Sequence, residues 1–280
     1  MIRTALKVFT ILLLGTLAPL LRPLPVDEAA YRGSILQPRY MDPATGEPLQ
    51  EPVYTSTIQR LALQSADPGS RHILVINLAA RASYLFDASG CLERTWKIAP
   101  GQVGYPTPTG VYSMMEIEHD PTWYIPASKW AEKYRAKYGR ILKHNTPLGA
   151  VKIRLTRDGL LIHGTTNPAS VTNQSLISHA CIRMFNEDVQ ELADSAEIDM
   201  PVIIVNRAAV VAMGEDGGIY AWIFRDGYGK SAPLDEVLLD ELDSLGFNRV
   251  DFECLRCAVS EAVERFRTNP REWCQYTRLD

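Results

Sequence analysis

Ser178-His179-Ala180-Cys181-Ile182-Arg183-Met184, read together with Ile162-His163-Gly164-Thr165 upstream, carries the chemistry of this chain. A Cys two positions after one His, with a second His earlier, is a nucleophile with candidate bases. A thiol attacks as the thiolate, and a neighbouring imidazole makes that thiolate available near neutral pH. Arg183 adds a fixed positive charge that can hold a thiolate or grip a substrate carboxylate through two parallel N–H donors. If the segment is extended, alternation sets His179, Cys181 and Arg183 on one face. The competing reading makes Cys181 a buried structural thiol, because free Cys behaves as a small hydrophobe. Polar neighbours at alternating positions do not build an apolar pocket, so the nucleophile is the stronger reading.

Working outward, Val151 to Leu155 and Leu160 to His163 read as paired strands around an Asp158-Gly159 turn, which leaves His163 at a strand end. Thr166 to Ile177 is a polar loop returning the chain to Cys181. Glu187 to Glu197 reads as a helix with Asn186 as N-cap and acids in its first turn. Pro201 to Asn206 reads as a closing strand. Towards the N-terminus, His72 to Asn77, Ala82 to Phe86 and Cys91 to Ala99 read as strands, the last two separated by the turn Asp87-Ala88-Ser89-Gly90. Short strands punctuated by Gly and Pro point to a mainly β sandwich or barrel. Ser128 to Gly139 interrupts the pattern with Lys, Glu and Ala and with Trp130, Tyr134 and Tyr138 at helical spacing. It reads as a lid-like helical insertion or, equally, as a solvated helix with an aromatic core stripe.

The 280 residues, 46% of them hydrophobic, suffice for one sizeable domain or two small ones. A net charge of -4 gives no basis for nucleic acid as a partner. Arg3 and Lys7 precede an uncharged apolar run, Val8 to Leu21, which fits a secretory h-region better than a full span of ~20 apolar residues. Pro19 obstructs cleavage after Ala18, so a signal-anchor held through residues 8–21 stands beside a cleaved signal peptide. Five cysteines in an exported chain suggest pairs plus one free thiol, with Cys181 the odd one and Cys254 or Cys257 bridging to Cys274. Cys254-Leu-Arg-Cys257 is a weak metal or redox signal, since no second ligand pair exists. His72, His119 and His144 are isolated and lack metal-ligand spacing. The resulting division is residues 1–25 as targeting segment, 26–70 as a polar linker with a short helix near Ser56 to Gln64, 71–206 as the catalytic domain, and 207–280 as an accessory extension. In that extension, Val210 to Met213 and Ile219 to Phe224 read as a hairpin around Gly217-Gly218. Leu234 to Leu245 and Phe252 to Phe266 read as packing helices.

The Ser178–Met184 window resembles the L,D-transpeptidase family with its YkuD-type catalytic domain, whose pattern is His-Gly-Thr followed by Ser-x-Gly-Cys-(Ile/Val)-Arg. Three further segments match in order: Gly101 to Tyr112 (GQVGYPTPTGVY), Pro121 to Pro126 (PTWYIP), and Asn145 to Gly149 (NTPLG), the last with one residue inserted. Together they span about residues 71 to 206. The position before the nucleophile is usually Gly and here is Ala180, and Gly allows backbone angles that Ala resists. The resemblance implies a YkuD-like β-sandwich or barrel with a helical insertion and a small α+β C-terminal extension. It implies peptidoglycan stem peptides as substrate and an exported, periplasmic location, with no metal and no cofactor. Cys181 is implied as nucleophile and His163 as general base, its other ring nitrogen held by the Gly164 carbonyl. His179 is implied as a second histidine that orients substrate or assists the oxyanion, with backbone amides near Ala180 and Cys181 as oxyanion donors. Arg183, Ser178, Thr165, Trp123 and Asn145 are the expected substrate-contacting set; for Arg183 a structural salt bridge and for Trp123 an ordinary core position are the alternatives. The acceptor of the acyl group is left open: a stem amine, a lipoprotein Lys, or water. A catalytically inactive wall-binding module is the reading from another class, and Ala180 is the feature in its favour. A papain-like protease does not fit, because His precedes Cys and no Cys-Trp helix start is present.

Overall fold

A computed structural model describes residues 56–64, 69–157, 159–213, 218–246, 252–268 and 274–279. The expected targeting segment, most of the expected linker, Asp158 and Gly217 lie outside the described residues. The chain divides into two units. One is Leu61–Asn206, and the other comprises the described parts of Met1–Arg60 and Arg207–Asp280. Among the described residues, no helix is long and apolar enough to cross a membrane.

In the first unit, apolar runs bounded by Gly, Asn and Asp make the strands β1 (His72–Asn77), β2 (Ala82–Asp87) and β3 (Leu92–Lys97). Ile73 to Ile76 are fully buried, as a central strand covered on both faces requires. The next strand, β4 (Gly110–His119), was not read from the sequence. A short hairpin follows, β5 (Trp123–Tyr124) with β6 (Ile141–Leu142). The expected insertion lies between its strands: a single 3-10 turn (Lys129–Ala131) and then the helix Glu132–Tyr138. Strands β7 (Val151–Leu155), β8 (Leu161–His163), β9 (Ile182–Arg183) and β10 (Pro201–Val205) complete the sheet. Its order is β3-β2-β1-β10-β4-β7-β8-β9. The pairs β1/β10 and β8/β9 are parallel and the remainder antiparallel.

The sheet curls until its two edges meet. Just beyond β3, Ala99 exchanges two 2.9 Å backbone hydrogen bonds with Arg183 of β9. The fold is thus mainly β, with barrel-like closure of one sheet.

The helix after β9 runs Asn186–Ser195, two residues short of the expected end at Glu197. Phe185 occupies the cap position, and no side chain caps the helix. The expectation that Asn186 caps it is overturned, because its side chain is spent elsewhere. Asn186 Oδ1 accepts the Ala150 and Thr165 amides, each at 3.1 Å, tying the end of β8 to the start of β7.

The second unit is a three-stranded sheet, β11 (Ala209–Met213), β12 (Ile219–Phe224) and β13 (Cys274–Arg278), in that order. The third strand was not read from the sequence. Leu238 and Leu242 of the helix Leu234–Ser244, with Leu255, Ala258 and Ala262 of the helix Phe252–Thr268, share one core with Val211, Ala221 and Ile223 of the sheet. Cys91, Cys181 and Cys257 are free thiols. This corrects the expectation of one unpaired Cys and removes the Cys257–Cys274 bridge. The Cys254 side chain, and with it the Cys254–Cys274 alternative, lies outside the described residues.

Candidate active site

Parallel pairing of β8 with β9 sets Ile162 against Ile182 and His163 against Arg183. Pleating sends the two isoleucines, both fully buried, into the core. His163 and Arg183 then share the opposite face, and Cys181, two residues before Arg183, belongs to the same face. Sheet register therefore brings the Cys, the His and the Arg together.

His163 is 4% exposed, and its Nδ1–H donates to the Gly164 carbonyl at 2.6 Å. A carbonyl only accepts, so Nδ1 carries the proton and Nε2 is left as the basic lone pair. Burial first, and then the Arg183 charge, lower its pKa to about 4, while the Gly164 and Leu148 carbonyls oppose that shift. The imidazole is neutral at pH 7. Gly164 admits no side chain, since an added Cβ would stand 2.3 Å from Asn186 Oδ1.

Cys181 is half-buried, and its thiol faces the Gly159 carbonyl at 3.6 Å. Desolvation raises its pKa more than the Leu161 amide and Arg183 lower it. Neither imidazole hydrogen-bonds the thiol among the described residues. The pair is therefore a neutral thiol beside a neutral base.

Arg183 is partly buried and forms no ion pair among the described residues, and its Nε lies buried without a hydrogen-bond partner. The salt-bridge alternative is absent there. Desolvation lowers its pKa from the usual guanidinium range, opposed in smaller measure by the Cys181 and Tyr134 groups.

Ala180 replaces the expected Gly at φ 76°, inside the left-handed region. The turn breaks the extended run, so His179 is not on the Cys181–Arg183 face of a strand. Three contacts pin this turn. The Ala180 N–H donates to the Tyr105 carbonyl at 3.0 Å, and the Ala180 carbonyl accepts from Thr107 Oγ1 at 2.7 Å. Thr107 Oγ1 in turn accepts the Gly101 N–H at 2.8 Å. A Cβ on Gly101 would lie 2.3 Å from the Tyr105 carbonyl oxygen. The Ala180 amide is thus spent and cannot serve as an oxyanion donor, which leaves the Cys181 N–H at this turn.

His179 lies between two rings, stacked on Trp130 at 4.0 Å and 14° and tilted against Tyr105 at 4.7 Å. The Gln102 side-chain amide lies 3.4 Å from its Nε2. Desolvation, then Arg183 and Lys133, lower its pKa. Trp130, Gln102, Tyr105 and Thr107 were not picked out as site residues. Their signal was contained in the GQVGYPTPTGVY segment and in the aromatic spacing of the insertion.

The other expected substrate contacts have the following surroundings. The Ser178 hydroxyl donates to the Cys181 carbonyl. Thr165 is 3% exposed; its amide is held by Asn186, and its hydroxyl accepts the Asn167 N–H at 3.0 Å. Trp123 is 8% exposed in a small core with Ile125, Ala131 and Leu148, and Tyr134 meets its edge at 5.3 Å. Asn145 is exposed at φ 49°, a turn position that Asn tolerates. No group of three His, Cys, Asp or Glu side chains suited to a metal ion occurs among the described residues.

Parts of the chain are similar to known proteins. Residues 71–204 match the family model YkuD, the L,D-transpeptidase catalytic domain. Similar curated proteins include the probable L,D-transpeptidase ErfK/SrfK of Salmonella typhimurium, 27% identical over 52% of this chain and 48% of that one. Another is the putative L,D-transpeptidase YkuD of Bacillus subtilis, 32% identical over 36% of this chain and 46% of that one. The chain spans about half the length of these relatives. Among solved structures, L,D-transpeptidase 3 from Mycobacterium tuberculosis with a faropenem-derived adduct aligns at 20% identity and a TM-score of 0.39, covering 49% of this chain and 61% of that one. Over residues 71–204, just under half of the chain, this protein is therefore similar to the L,D-transpeptidase catalytic domain.

Proposed function

We propose that this chain is a peptidoglycan L,D-transpeptidase using Cys181 as nucleophile and His163 as general base. The observation that carries the reading is the His163 ring, buried and neutral, its tautomer fixed by Gly164 and its face shared with Cys181 and Arg183. The Gly164 carbonyl does here what an acidic third residue does in a triad: it orients the ring.

In the first half-reaction, His163 Nε2 takes the Cys181 proton as sulfur attacks the carbonyl of the third stem residue. The oxyanion forms within reach of the Cys181 amide. Collapse breaks the amide bond, His163 returns the proton to the departing D-Ala amine, and a thioester remains. In the second, an acceptor amine attacks the thioester and loses its proton to His163, and sulfur leaves as the thiol. Arg183, with its buried unpartnered Nε, is the group placed to bind a donor carboxylate. Ala180 holds the left-handed turn that Gly would adopt, which supports an active enzyme over an inactive wall-binding module. Such a substrate places the domain outside the cytoplasmic membrane, in the periplasm.

Mass spectrometry of disaccharide-tetrapeptide muropeptides, incubated with wild type and with Cys181→Ala, tests the reading. A cross-linked dimer lacking one D-Ala, absent with the variant, is expected. Tripeptide alone would assign water as acceptor. Unchanged substrate, with Cys181 inert to a carbapenem, would sink the enzyme reading.

A further inference from the structure

Residues 128–144, SKWAEKYRAKYGRILKH, contain six Lys and Arg and one acid, Glu132, in a chain of net charge -4. Arg135 is used internally, its guanidinium bonding the Pro126 and Ser128 carbonyls. The other five, Lys129, Lys133, Lys137, Arg140 and Lys143, are exposed, and none pairs with a carboxylate among the described residues. Four cations elsewhere in the unit pair with carboxylates: Arg71 with Glu197, Arg94 with Glu191, Lys152 with Glu118, Arg154 with Glu116. Five exposed cations without a carboxylate partner, gathered in one short segment, attract an anion. The same segment reaches the site, since Trp130 stacks on His179 and the Lys133 charge is felt by that ring. Tyr124, Tyr138 and Ile141 lie exposed on the hairpin and helix that carry the cations, adding apolar contact area.

We infer that this basic insertion is a docking surface for a polymer bearing repeated carboxylates, and that it leads peptidoglycan stems to the thiol. The inference rests on the transpeptidase reading for the identity of the polymer, and it fits stem peptides because each carries carboxylates on flexible arms. Continuity with the Trp130–His179 contact favours a substrate chain over a membrane: an anion lying on the insertion is directed at the site. Several weak exposed contacts act together, so binding is steep in ionic strength.

Co-sedimentation with insoluble peptidoglycan tests this without turnover, using the full chain carrying Cys181→Ala. Native wall should pellet the protein at low salt and release it at about 0.5 M, where screening falls within a few ångströms. Wall with amidated carboxylates should not pellet it. The triple variant Lys137→Gln, Arg140→Gln, Lys143→Gln, checked for folding by thermal melting, should bind about tenfold more weakly, as three exposed ion pairs predict. Equal pelleting of the triple variant, or of amidated wall, would overturn the inference. So would tighter capture by phosphatidylglycerol vesicles than by wall, which would make the insertion a membrane contact. Salt-sensitive wall binding without 3-3 dimers in the muropeptide assay would retire the transpeptidase reading and keep the surface. Dimers without salt-sensitive binding would do the reverse.

Discussion

Ala180 is held at φ 76° by hydrogen bonds from the peptides on either side of its Cα, its N–H donating to Tyr105 and its carbonyl accepting from Thr107. A residue with a Cβ is strained there by about 1 kcal/mol. Ala180→Gly should therefore raise the unfolding free energy by about that amount, read as a higher Tm by calorimetry. A gain in the rate of Cys181 acylation by a carbapenem should accompany it if the strain also loosens the turn. Ala180→Val should go the other way. Asn186 offers a second prediction. Its single carbonyl oxygen serves two backbone amides beside the His163–Gly164 segment. Asn186→Ala leaves both N–H groups unpaired and should cost about 2 kcal/mol in urea unfolding, whereas Asn186→Asp, which keeps the acceptor, should recover most of it. The window around Cys181 was readable because its residue types are chemically unusual together. The tautomer of His163 came with the family resemblance and was not a reading of the residues themselves. The role of Asn186 was hidden because a residue ahead of a helix reads as a cap. Only the folded contacts show its side chain turned towards a neighbouring strand.

At the scale of elements, strands with their own apolar runs were legible to within a residue or two, β1, β7 and β10 among them. Those lacking a run were not. Gly110–His119 mixes exposed and half-buried residues without alternation, and only Met114 is fully buried, so it carries no local signature and is defined by pairing with β7 and β10. The two-residue β5, β6 and β9 exist only through tertiary contacts. The insertion was readable as a helix, while its attachment to the site was not, because Trp130 lies on the 3-10 turn ahead of the helix. Stacking on His179 gives that turn a measurable role. Trp130→Ala removes one desolvating face of the imidazole, so His179 should become easier to protonate. The His179 imidazole, titrated by NMR, should then protonate at higher pH, while Tm changes little, because Trp130 is only half-buried. An unchanged His179 titration would assign Trp130 to packing alone.

For the molecule as a whole, the buried neutral His163 makes stability depend on acidity. Its folded pKa, about 4, lies below the ordinary 6.5, so the unfolded chain binds the extra proton between those values. Its contribution is complete above pH 6.5, falls as pH drops towards 4, and levels off below. The full loss is about 3 kcal/mol. Urea unfolding at pH 7 and at pH 4.5 should show most of that difference in wild type and much less in His163→Gln. A wild-type curve flat across this range would contradict the buried neutral ring. The closure of the sheet by Ala99 and Arg183 bears on recognition as well. With Arg183 bonded to Ala99, and the Ser178 carbonyl accepting from Gln102, the strand next to the nucleophile offers no unpaired backbone edge. A peptide arm cannot be captured here by extending a ladder, the mode in which main-chain groups supply affinity and sequence matters little. It has to be read through side chains, by charge and shape, and that suits a branched chain of alternating handedness whose own backbone could not continue a regular strand.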